Sequence, residues 1–516
     1  MSSAPVEEDL RTAIEAQVWD DVIGVVEQHW GELVQHRQDL LVEAINSLPA
    51  EVLAGNPRLS AAKDYVNYLP ANSDGRPIRF QHTVTAPPTG LLDVLADLTS
   101  RSVSARFQGN TAESVAIVRE AHTTIAEVSD EALAAIRPVL PDIRLQWAIS
   151  LELGGELIDA TRAYERSFDE AVTFKNPRIA VEAAGTIALN YALAGNRGAA
   201  EQWLARRPEL HVEAPDTVQT AGELARALLA VNDLRFDDAR AALEAAPSVT
   251  VAPETWAQRL FVESVLARAS GQARQQLARV GSTQATQPEK LRSNGLNGWL
   301  TAMATAELQL SLGDVASAVR SIARLRAIDL PSVTDPVRVL RAWAALRQGD
   351  AREALVLAAP GLSQPSTSPR ITVELLAVVA AANLRLDQPE EADRHFAACL
   401  DLLVSEGLPI VLLRLTTEER AALLPRYEEQ LPPRVVRELA GLLDVGTAPS
   451  SVQLSERERV VLRHLVQGHS VPEIATAEHV SPNTVKTQVK AVYRKLGVAD
   501  RDGAHRAVAA TPHLIA

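Results

Sequence analysis

Apolar residues recur at helical spacing along most of this 516-residue chain. Ala, Leu and Arg, which favour helix, are the dominant residues. Runs in which Val, Ile or Tyr alternate with polar residues would predict strands, but such runs are scarce, and aromatic residues make up only 4% of the sequence. The pattern predicts an all-α protein.

One pattern recurs within residues 91–445: an apolar helical stretch, a tight turn, and a second helix that carries a small residue. Successive turns are 36 to 46 residues apart. The turns are centred on Gly109, Gly155, Gly195, Asp233, Gly271, Gly313, Gly349 and Asp387. Such a period predicts helical hairpins that stack into a solenoid.

Two positions in the second helix of most units support this interpretation. A small residue stands five positions after the turn, as at Ala160, and a bulkier one nine positions after it, as at Tyr164. Closely packed helices need this combination, because the small residue lets the neighbouring backbone approach. Two units fit poorly. The unit at Asp233 is one residue out of step, and the unit at Gly271 has Gln276 where a small residue is expected.

These hairpins resemble tetratricopeptide-type (TPR-like) repeats, with a period closer to the longer repeats of MalT-like regulators. Leu40–Val66 reads as a helix, a proline-bounded loop and a helix, and resembles the segment that opens the repeat region of that family. The resemblance implies an N-terminal helical region at 1–90 that opens the solenoid, and a concave groove within 91–445. An unknown small-molecule or protein effector is expected in this groove.

Turn-forming residues mark the breaks in the helical pattern. Ala71–Gly90, Gly281–Gly298 and Ser363–Arg370 contain too many of them for a helix, which predicts long loops or local breaks in the solenoid. The composition of 446–453 predicts a flexible linker. A separate C-terminal domain is therefore expected from residue 454 to residue 516.

The C-terminal segment, 454–516, contains the start and stop signals of several short helices. Its first helix begins with a capping box and closes at a glycine. Ser470 and Glu473 repeat the capping box for a short second helix, and Ser481 before Pro482 opens a third. Only a few residues separate the second helix from the third. This is helix-turn-helix geometry, in which the later helix enters the major groove of DNA.

The third predicted helix, Pro482–Leu496, has two different faces. Val485 and Val489 lie on the apolar side, and the helix contains no acidic residue. The candidate DNA-binding residues on the polar side are Asn483, Thr484, Lys486, Thr487, Lys490 and Arg494. The three cations follow at i, i+4 and i+8, so they form one stripe that suits phosphates and guanine edges. Taken alone, such a stripe is more often simply a solvated face.

The distribution of charge changes this picture. The net charge of −14 would argue against nucleic acid as a partner. However, residues 451–516 carry +3 and the remainder of the chain carries −17. Three of the six lysines, Lys486, Lys490 and Lys495, fall within ten consecutive residues. The C-terminal segment is therefore basic, whereas the rest of the chain is acidic.

The C-terminal segment resembles the LuxR/FixJ helix-turn-helix domain, a small four-helix fold, in the order and spacing of its residues. The matching positions are Leu454, Arg457, Glu458, Val461, Leu462, Leu465, Gly468, Ser470, Glu473, Ile474, Ala475, Val480, Ser481, Thr484, Val485, Lys486, Val489 and Lys495 to Val498. The match covers about an eighth of the chain and is highly specific. It implies a transcriptional regulator that binds double-stranded DNA.

The resemblance also assigns roles to individual residues. The family's motif corresponds to 471–490, in which Lys486, Thr487 and Lys490 fall on positions that meet base edges or nearby phosphates. Thr484 falls on a position that contacts the DNA backbone.

The final helix, from Arg501 to Ala510, corresponds to the family's usual dimer contact. Its expected contact residues are Ala504, Ala507 and Val508. The helix is short and rich in alanine, so this domain alone is expected to form a weak dimer contact. The resemblance therefore predicts a homodimer on DNA.

Several classes of protein are not supported. MalT-like regulators normally begin with a P-loop ATPase, but the chain contains no Gly-Lys pair, so this domain is not expected. No phospho-receiver pattern, metal-binding motif or catalytic motif is found, and no enzymatic activity, cofactor or metal is expected. The single cysteine, Cys399, is predicted to be a small buried hydrophobe.

The start of the chain lacks the order of a signal peptide, and no apolar run is long enough to span a bilayer. A cytoplasmic protein without a membrane partner is expected. One alternative from another functional class stays open. The protein could be a TPR-like scaffold that binds a protein partner, with DNA binding secondary.

Overall fold

The computed structural model describes residues 4–30, 33, 37–56, 59–63, 87–207, 216–246, 256–327, 334–363, 368–445, 456–496 and 501–510. These residues form α-helices and short 3₁₀ helices, and none of them lies in a β-strand. The all-α prediction is confirmed. The chain divides into two compact units, residues 1–442 and 443–516. They are called the repeat unit and the C-terminal unit below.

The repeat unit begins with a small helical bundle. Its helices are Ala4–Glu15, Trp19–Gln28, Gln38–Ser47 and Ala50–Ala54. Leu10, Val22 and Leu41 are fully buried in the core of this bundle. The predicted proline-bounded break within Leu40–Val66 occurs at Pro49, between the third helix and the fourth. Most of the predicted loop at Ala71–Gly90 lies outside the described residues.

Eight helical hairpins follow in the described part of the chain, each with its turn at the predicted position or, in the unit at Asp233, one residue later. The helix pairs are Leu91–Phe107 with Thr111–Ala126, Leu140–Leu153 with Leu157–Thr173, Pro177–Ala194 with Arg197–Arg206, Asp216–Asn232 with Phe236–Ala245, Trp256–Ala269 with Ala273–Thr286, Gly295–Ser311 with Val315–Ala327, Thr334–Gln348 with Ala351–Leu362, and Pro369–Arg385 with Pro389–Ser405.

Shorter helices connect these pairs or follow them. The connecting helices are Asp130–Ile136, the 3₁₀ helix Arg137–Val139, and Glu289–Ser293. After the last hairpin come the 3₁₀ helices Pro409–Arg414, Leu424–Arg426 and Glu428–Gln430, and the α-helices Thr417–Leu423 and Pro433–Val445. Within the described ranges, no helix is long and apolar enough to cross a membrane.

The conformation of the turns explains one irregularity in the repeat. All six predicted turn glycines have a positive φ, a conformation that glycine adopts without steric cost. In the unit at Asp233, the left-handed residue is Leu234, with φ of 58°. Counted from Leu234, Ala239 and Leu243 stand five and nine positions after the turn, as in the other units. The unit therefore keeps the repeat geometry, and its turn is one residue later than the sequence suggested.

The unit at Gly271 accommodates a larger residue at the close contact between its helices. Gln276 is buried there, and its side-chain amide donates a hydrogen bond of 3.3 Å to Ser264 Oγ in the preceding helix. The corresponding Ala160 and Ala354 of other units are fully buried and need no such partner. A buried polar side chain is tolerated at this position because it is hydrogen-bonded.

Of the two structures predicted for Gly281–Gly298, a long loop or a local break, the long loop is wrong, because most of the segment is helical and only 287–288 and 294 interrupt the helices. Gly281 has open space around it and lies within the helix Ala273–Thr286. Gly295 is buried at the start of the next repeat helix, where a Cβ atom would collide with the carbonyl oxygen of Leu153. Its φ is also positive, at 58°. This glycine permits close packing between hairpins and does not indicate a loop.

Hairpins that are far apart in sequence touch each other. The Lys290 ammonium donates a hydrogen bond of 3.0 Å to Asn110 Oδ1, and the Asn294 amide donates one of 3.2 Å to the carbonyl of Gly109. These pairs are separated by 180 and 185 residues. The solenoid therefore curls until the segment between its fifth and sixth hairpins contacts the turn of the first.

Similar contacts recur farther along the chain. Ser368 Oγ donates to the carbonyl of Ala194 at 2.7 Å, and Arg370 Nε donates to the carbonyl of Leu193 at 2.9 Å. Arg434 Nη2 lies 2.9 Å from Asp233 Oδ1. Each basic or hydroxyl group meets the C-terminal end or turn of an earlier helix, where backbone carbonyls lack helical partners. The coil is therefore held together by polar contacts at its turns.

The first helices of the hairpins are buried on most sides and carry polar groups into the interior. Glu152, on Leu140–Leu153, accepts hydrogen bonds from the Tyr164 hydroxyl at 2.7 Å and from Gln258 Nε2 at 3.1 Å. Burial raises the pKa of Glu152 to about 7, and the hydrogen bonds from Tyr164 and Gln258 act in the opposite direction. The carboxyl group thus titrates near neutral pH in the folded protein.

A second buried cluster contains full charges. Arg414 forms ion pairs with Glu307 and with Glu374, the latter at 2.7 Å, and its guanidinium lies 5.6 Å from the centroid of the Trp343 ring. Trp343 Nε1 donates a hydrogen bond of 2.7 Å to Glu374. Burial opposes ionisation of Glu307, but Arg414 and Arg268 keep the pKa of its carboxyl below the usual value. The residues around Arg414 come from four different helices, and they are Arg268, Glu307, Trp343 and Glu374.

Cys399 is fully buried in the helix Pro389–Ser405, as predicted. Burial raises the pKa of its thiol, so the thiol stays protonated.

Candidate nucleic-acid interface

The C-terminal unit contains four helices in its described part: Glu456–Val466, Val471–Ala477, Pro482–Leu496 and Arg501–Ala510. Their order and lengths agree with the four-helix prediction. The predicted linker at 446–453 lies outside the described residues.

Two small apolar clusters form the core of this unit. One contains Val461, Leu465, Ile474, Ala475 and Val485, and the other contains Leu462, Val492, Ala504 and Val508. The partly buried Tyr493 packs against both clusters. The core is small, so each of its side chains makes a large contribution to the stability of the unit.

Local capping fixes the turn between the second helix and the third. The carboxylate of Glu473 accepts a hydrogen bond of 2.6 Å from the backbone N–H of Ser470, and this bond lowers the pKa of Glu473. Ser481 Oγ accepts a hydrogen bond of 3.2 Å from the backbone N–H of Thr484. The predicted caps of both helices are therefore present.

Arg501 holds the first helix in place and was not singled out from the sequence. Its guanidinium donates hydrogen bonds to the carbonyl of Leu465, at 2.8 and 2.6 Å, and to the carbonyl of His469, at 2.9 Å. Leu465 lies at the C-terminal end of the first helix, where a cation is stabilised by the helix dipole, and His469 lies in the turn that follows. A contact made by the first residue of the fourth helix could be found only from the structure.

The polar side of the third helix is exposed as predicted. Asn483, Thr484, Lys486, Thr487 and Lys490 all have exposed side chains. Arg494 lies on the same helix, but its side chain is outside the described residues.

Val485 is fully buried among the other side chains of its cluster. One turn of the helix thus carries an anchoring valine on one side and the two lysines, Lys486 and Lys490, on the other. The third helix contains no acidic residue, so every charged side chain on this exposed side is a cation.

The two threonines are already engaged in local hydrogen bonds. Thr487 Oγ1 donates to the carbonyl of Asn483 at 3.0 Å, and Thr484 Oγ1 lies 2.9 Å from Ser481 Oγ. A phosphate oxygen accepts hydrogen bonds and offers none. Thr487 must therefore rotate its hydroxyl before it can donate to a phosphate, whereas Lys486 and Lys490 can donate as they stand.

The fourth helix contributes two of its predicted dimer residues to the core of the unit. Ala504 and Val508 are buried against Leu462 and Val492 in the core of the unit. They pack inward because they provide apolar surface that this small core needs, and their role as dimer contacts stays a prediction. The side chain of Ala507 is outside the described residues. A dimer contact through another face of the helix stays a prediction.

Two histidines and a glutamate form a cluster that the sequence did not reveal. His464 Nδ1 lies 3.1 Å from His469 Nδ1, and His464 Nε2 lies 3.1 Å from Glu478 Oε1. The cluster joins the first helix, the following turn and the end of the second helix. In the described part of the chain, no group of three or more His, Cys, Asp or Glu side chains is arranged to hold a metal ion.

Comparisons with known proteins agree with this geometry. Residues 452–508 match the family described as bacterial regulatory proteins, luxR family. A segment of 72 residues, 14% of the chain, is 47% identical to proteins named probable transcriptional regulatory protein NarL from two strains of Mycobacterium tuberculosis. The match spans about a third of the length of those relatives. Residues 452–508 therefore form a helix-turn-helix domain of the luxR family.

Proposed function

We propose that this protein is a transcriptional regulator that binds specific duplex DNA through the exposed side of its third C-terminal helix, Pro482–Leu496. The observation that carries the proposal is the position of Lys486 and Lys490. Both are exposed on a helix without acidic residues, and the helix is anchored by the fully buried Val485. Lysines on such a helix can reach phosphates and base edges in the major groove.

The DNA complex is proposed to be a homodimer on a two-fold related site. In helix-turn-helix regulators, the symmetry of the protein dimer matches that of the two half-sites. Because Ala504 and Val508 are buried, the contact would involve other residues or the repeat unit.

The repeat unit is proposed to sense an effector, either a small molecule or a protein. Its state would determine whether two C-terminal units can pair on DNA. The support is architectural: the repeat unit contains 442 of the 516 residues, and the matched DNA-binding domain accounts for only a small part of the chain. The coil is held by hydrogen bonds between distant turns, so an effector could act by strengthening or breaking these contacts.

Selection of random duplexes with the full-length chain, followed by sequencing, tests the DNA-binding proposal. We expect an enriched motif with two related half-sites. The Lys486→Ala, Lys490→Ala double variant should lose the enrichment. The control Arg352→Ala removes an exposed cation from the repeat unit and should retain it. Failure of the wild-type chain to enrich any motif would contradict the proposal.

The wild-type chain and the double lysine variant also distinguish this proposal from the scaffold alternative. Binding through phosphate contacts must weaken as the salt concentration rises. A protein that acts only as a scaffold would bind a protein partner equally well after the two lysines are removed. Deletion of residues 1–445 tests the sensing role, because a truncated chain that is regulated like the full chain in cells would contradict it.

A further inference from the structure

A cavity of about 180 Å³ lies between the N-terminal bundle and the first helices of the solenoid. Its apolar wall includes Val26 and Trp30 on one side, and Ala96, Val103 and Ile143 on the other. An enclosed apolar space of about 150 Å³ accommodates a benzene ring. The cavity is therefore large enough for a molecule with one ring or a short alkyl chain.

The charges at this cavity are of one sign. Glu27 and Asp142 line it, and no basic residue is found among its described lining residues. Trp30 also lines the cavity and supplies an aromatic ring. An ammonium group is attracted both to carboxylates and to the face of a tryptophan ring. The composition of the wall therefore favours an organic cation over an anion.

Asp142 has an unused hydrogen-bonding capacity. One carboxylate oxygen accepts a hydrogen bond of 3.2 Å from Asn176 Nδ2, and the other oxygen is buried without a partner among the described residues. Burial raises the pKa of this carboxyl, although the charge of Arg178 acts in the opposite direction. A buried carboxylate with an unsatisfied oxygen is unfavourable. Because Asp142 lines the cavity, a cationic group bound there would offset the cost of this buried carboxylate.

We propose that the cavity binds a small organic amine, with the ammonium group held by Asp142 and the apolar part packed against Trp30 and Ile143. The site joins the N-terminal bundle to the helices Leu91–Phe107 and Leu140–Leu153. An amine bound there would stabilise the packing of the bundle on the solenoid. This binding goes beyond the DNA-binding proposal and does not depend on it.

Isothermal titration of the full-length protein with 2-phenylethylamine and with 2-phenylethanol tests this site. The two compounds share the ring and the chain length but differ in charge. We expect the amine to bind at least about tenfold more tightly than the alcohol, a difference of about 1.4 kcal/mol. Asp142→Asn should remove most of this preference and leave the affinity for the alcohol unchanged. The control Asp159→Asn changes an exposed aspartate and should preserve the preference.

A second variant keeps the test informative if Asp142→Asn does not fold. Ala96→Leu fills part of the cavity and should weaken the binding of both compounds, with the helical content checked by circular dichroism. The proposal is overturned if the wild-type protein binds neither compound below about 1 mM, or binds both equally. It is also overturned if a folded Asp142→Asn variant retains the full preference for the amine. None of these measurements contains DNA, so their outcome is independent of the proposed regulatory function.

Discussion

In the repeat unit, Arg414 is buried together with Glu307 and Glu374, whereas in the C-terminal unit Lys486 and Lys490 stand exposed on a single helix. The buried charges can persist only as a group, because each would be costly to bury without its partners. The exposed lysines have no such dependence and keep their hydrogen-bonding capacity for a ligand. The comparison separates charges that hold the fold together from charges that are available to a partner.

The largest effect is expected from Val485→Asp. This change places a carboxylate in a core of only a few apolar residues, and we expect it to unfold the C-terminal unit at a cost of more than about 4 kcal/mol. Hydrogen exchange should show lost protection in peptides from 456–496 and unchanged protection in the repeat unit. The control Val480→Asp changes an exposed valine and should leave protection intact. Equal effects of the two variants would show that the helix faces are wrongly assigned.

Arg414→Ala tests the buried side of the comparison. It leaves the carboxylates of Glu307 and Glu374 without their main partner, and we expect the repeat unit to lose about 3 to 5 kcal/mol of stability. Thermal melting of the full chain measures this loss. Arg426→Ala removes an exposed ion pair with Asp393 and should cost less than about 1 kcal/mol. A small effect of Arg414→Ala would mean that the buried charges are not mutually dependent.

The pH dependence of stability should reveal Glu152. Its pKa is about 7 in the folded protein, against 4.5 for an ordinary glutamate. The folded state therefore holds this proton more tightly, and the associated stability is complete below pH 4.5 and lost as the pH rises through about 7. Glu152→Gln should remove this loss, up to about 3 kcal/mol. Melting temperatures of both proteins at about pH 5 and about pH 8 provide the measurement, and parallel changes would contradict the assignment.

The smallest effect on stability is expected from the exposed lysines. Lys490→Ala should cost about 1 to 3 kcal/mol of specific DNA binding if it reads a base edge, with unchanged melting. Lys486→Ala should weaken binding to all sequences and reduce the slope of log K against log salt by roughly 0.9 if it contacts a phosphate. Titrations of a selected duplex and a scrambled duplex at several salt concentrations distinguish these roles. A Lys490→Ala variant that melts like Val485→Asp would show that Lys490 supports the fold and is not a charge kept available for a partner.

The features that were predicted from the sequence depend on local patterns. Turn glycines, the capping box at Ser470 and the two faces of Pro482–Leu496 are determined by residues a few positions apart. The position of the turn at Leu234 was missed by one residue, because Asp233 is the more usual residue for a left-handed turn. The glycines in Gly281–Gly298 were misread for a related reason, since a glycine needed for close packing resembles one needed for a loop.

The features that were missed depend on contacts across the chain. The partners of Arg414 are 40 and 107 residues away, and no short motif reports such a pairing. Arg501 contacts residues of the first C-terminal helix through backbone carbonyls, which carry no sequence signal. The inward orientation of Ala504 and Val508 depends on how the fourth helix docks. A small apolar residue on a short helix suits a core or an interface equally well, so the sequence left this choice open.

The contacts between distant turns constrain the evolution of the repeat number. In an open solenoid, loss of one whole hairpin leaves every remaining neighbour interface intact. Here, deletion of the hairpin between Trp256 and Thr286 would place a different turn opposite Gly109, and Lys290 would no longer reach Asn110. Ser368 and Arg370 would likewise be displaced from the helix end at Ala194. Duplication or loss of a unit in this segment therefore requires compensating changes in the distant turns that it contacts. The number of hairpins is thus constrained by these contacts as well as by those between neighbours.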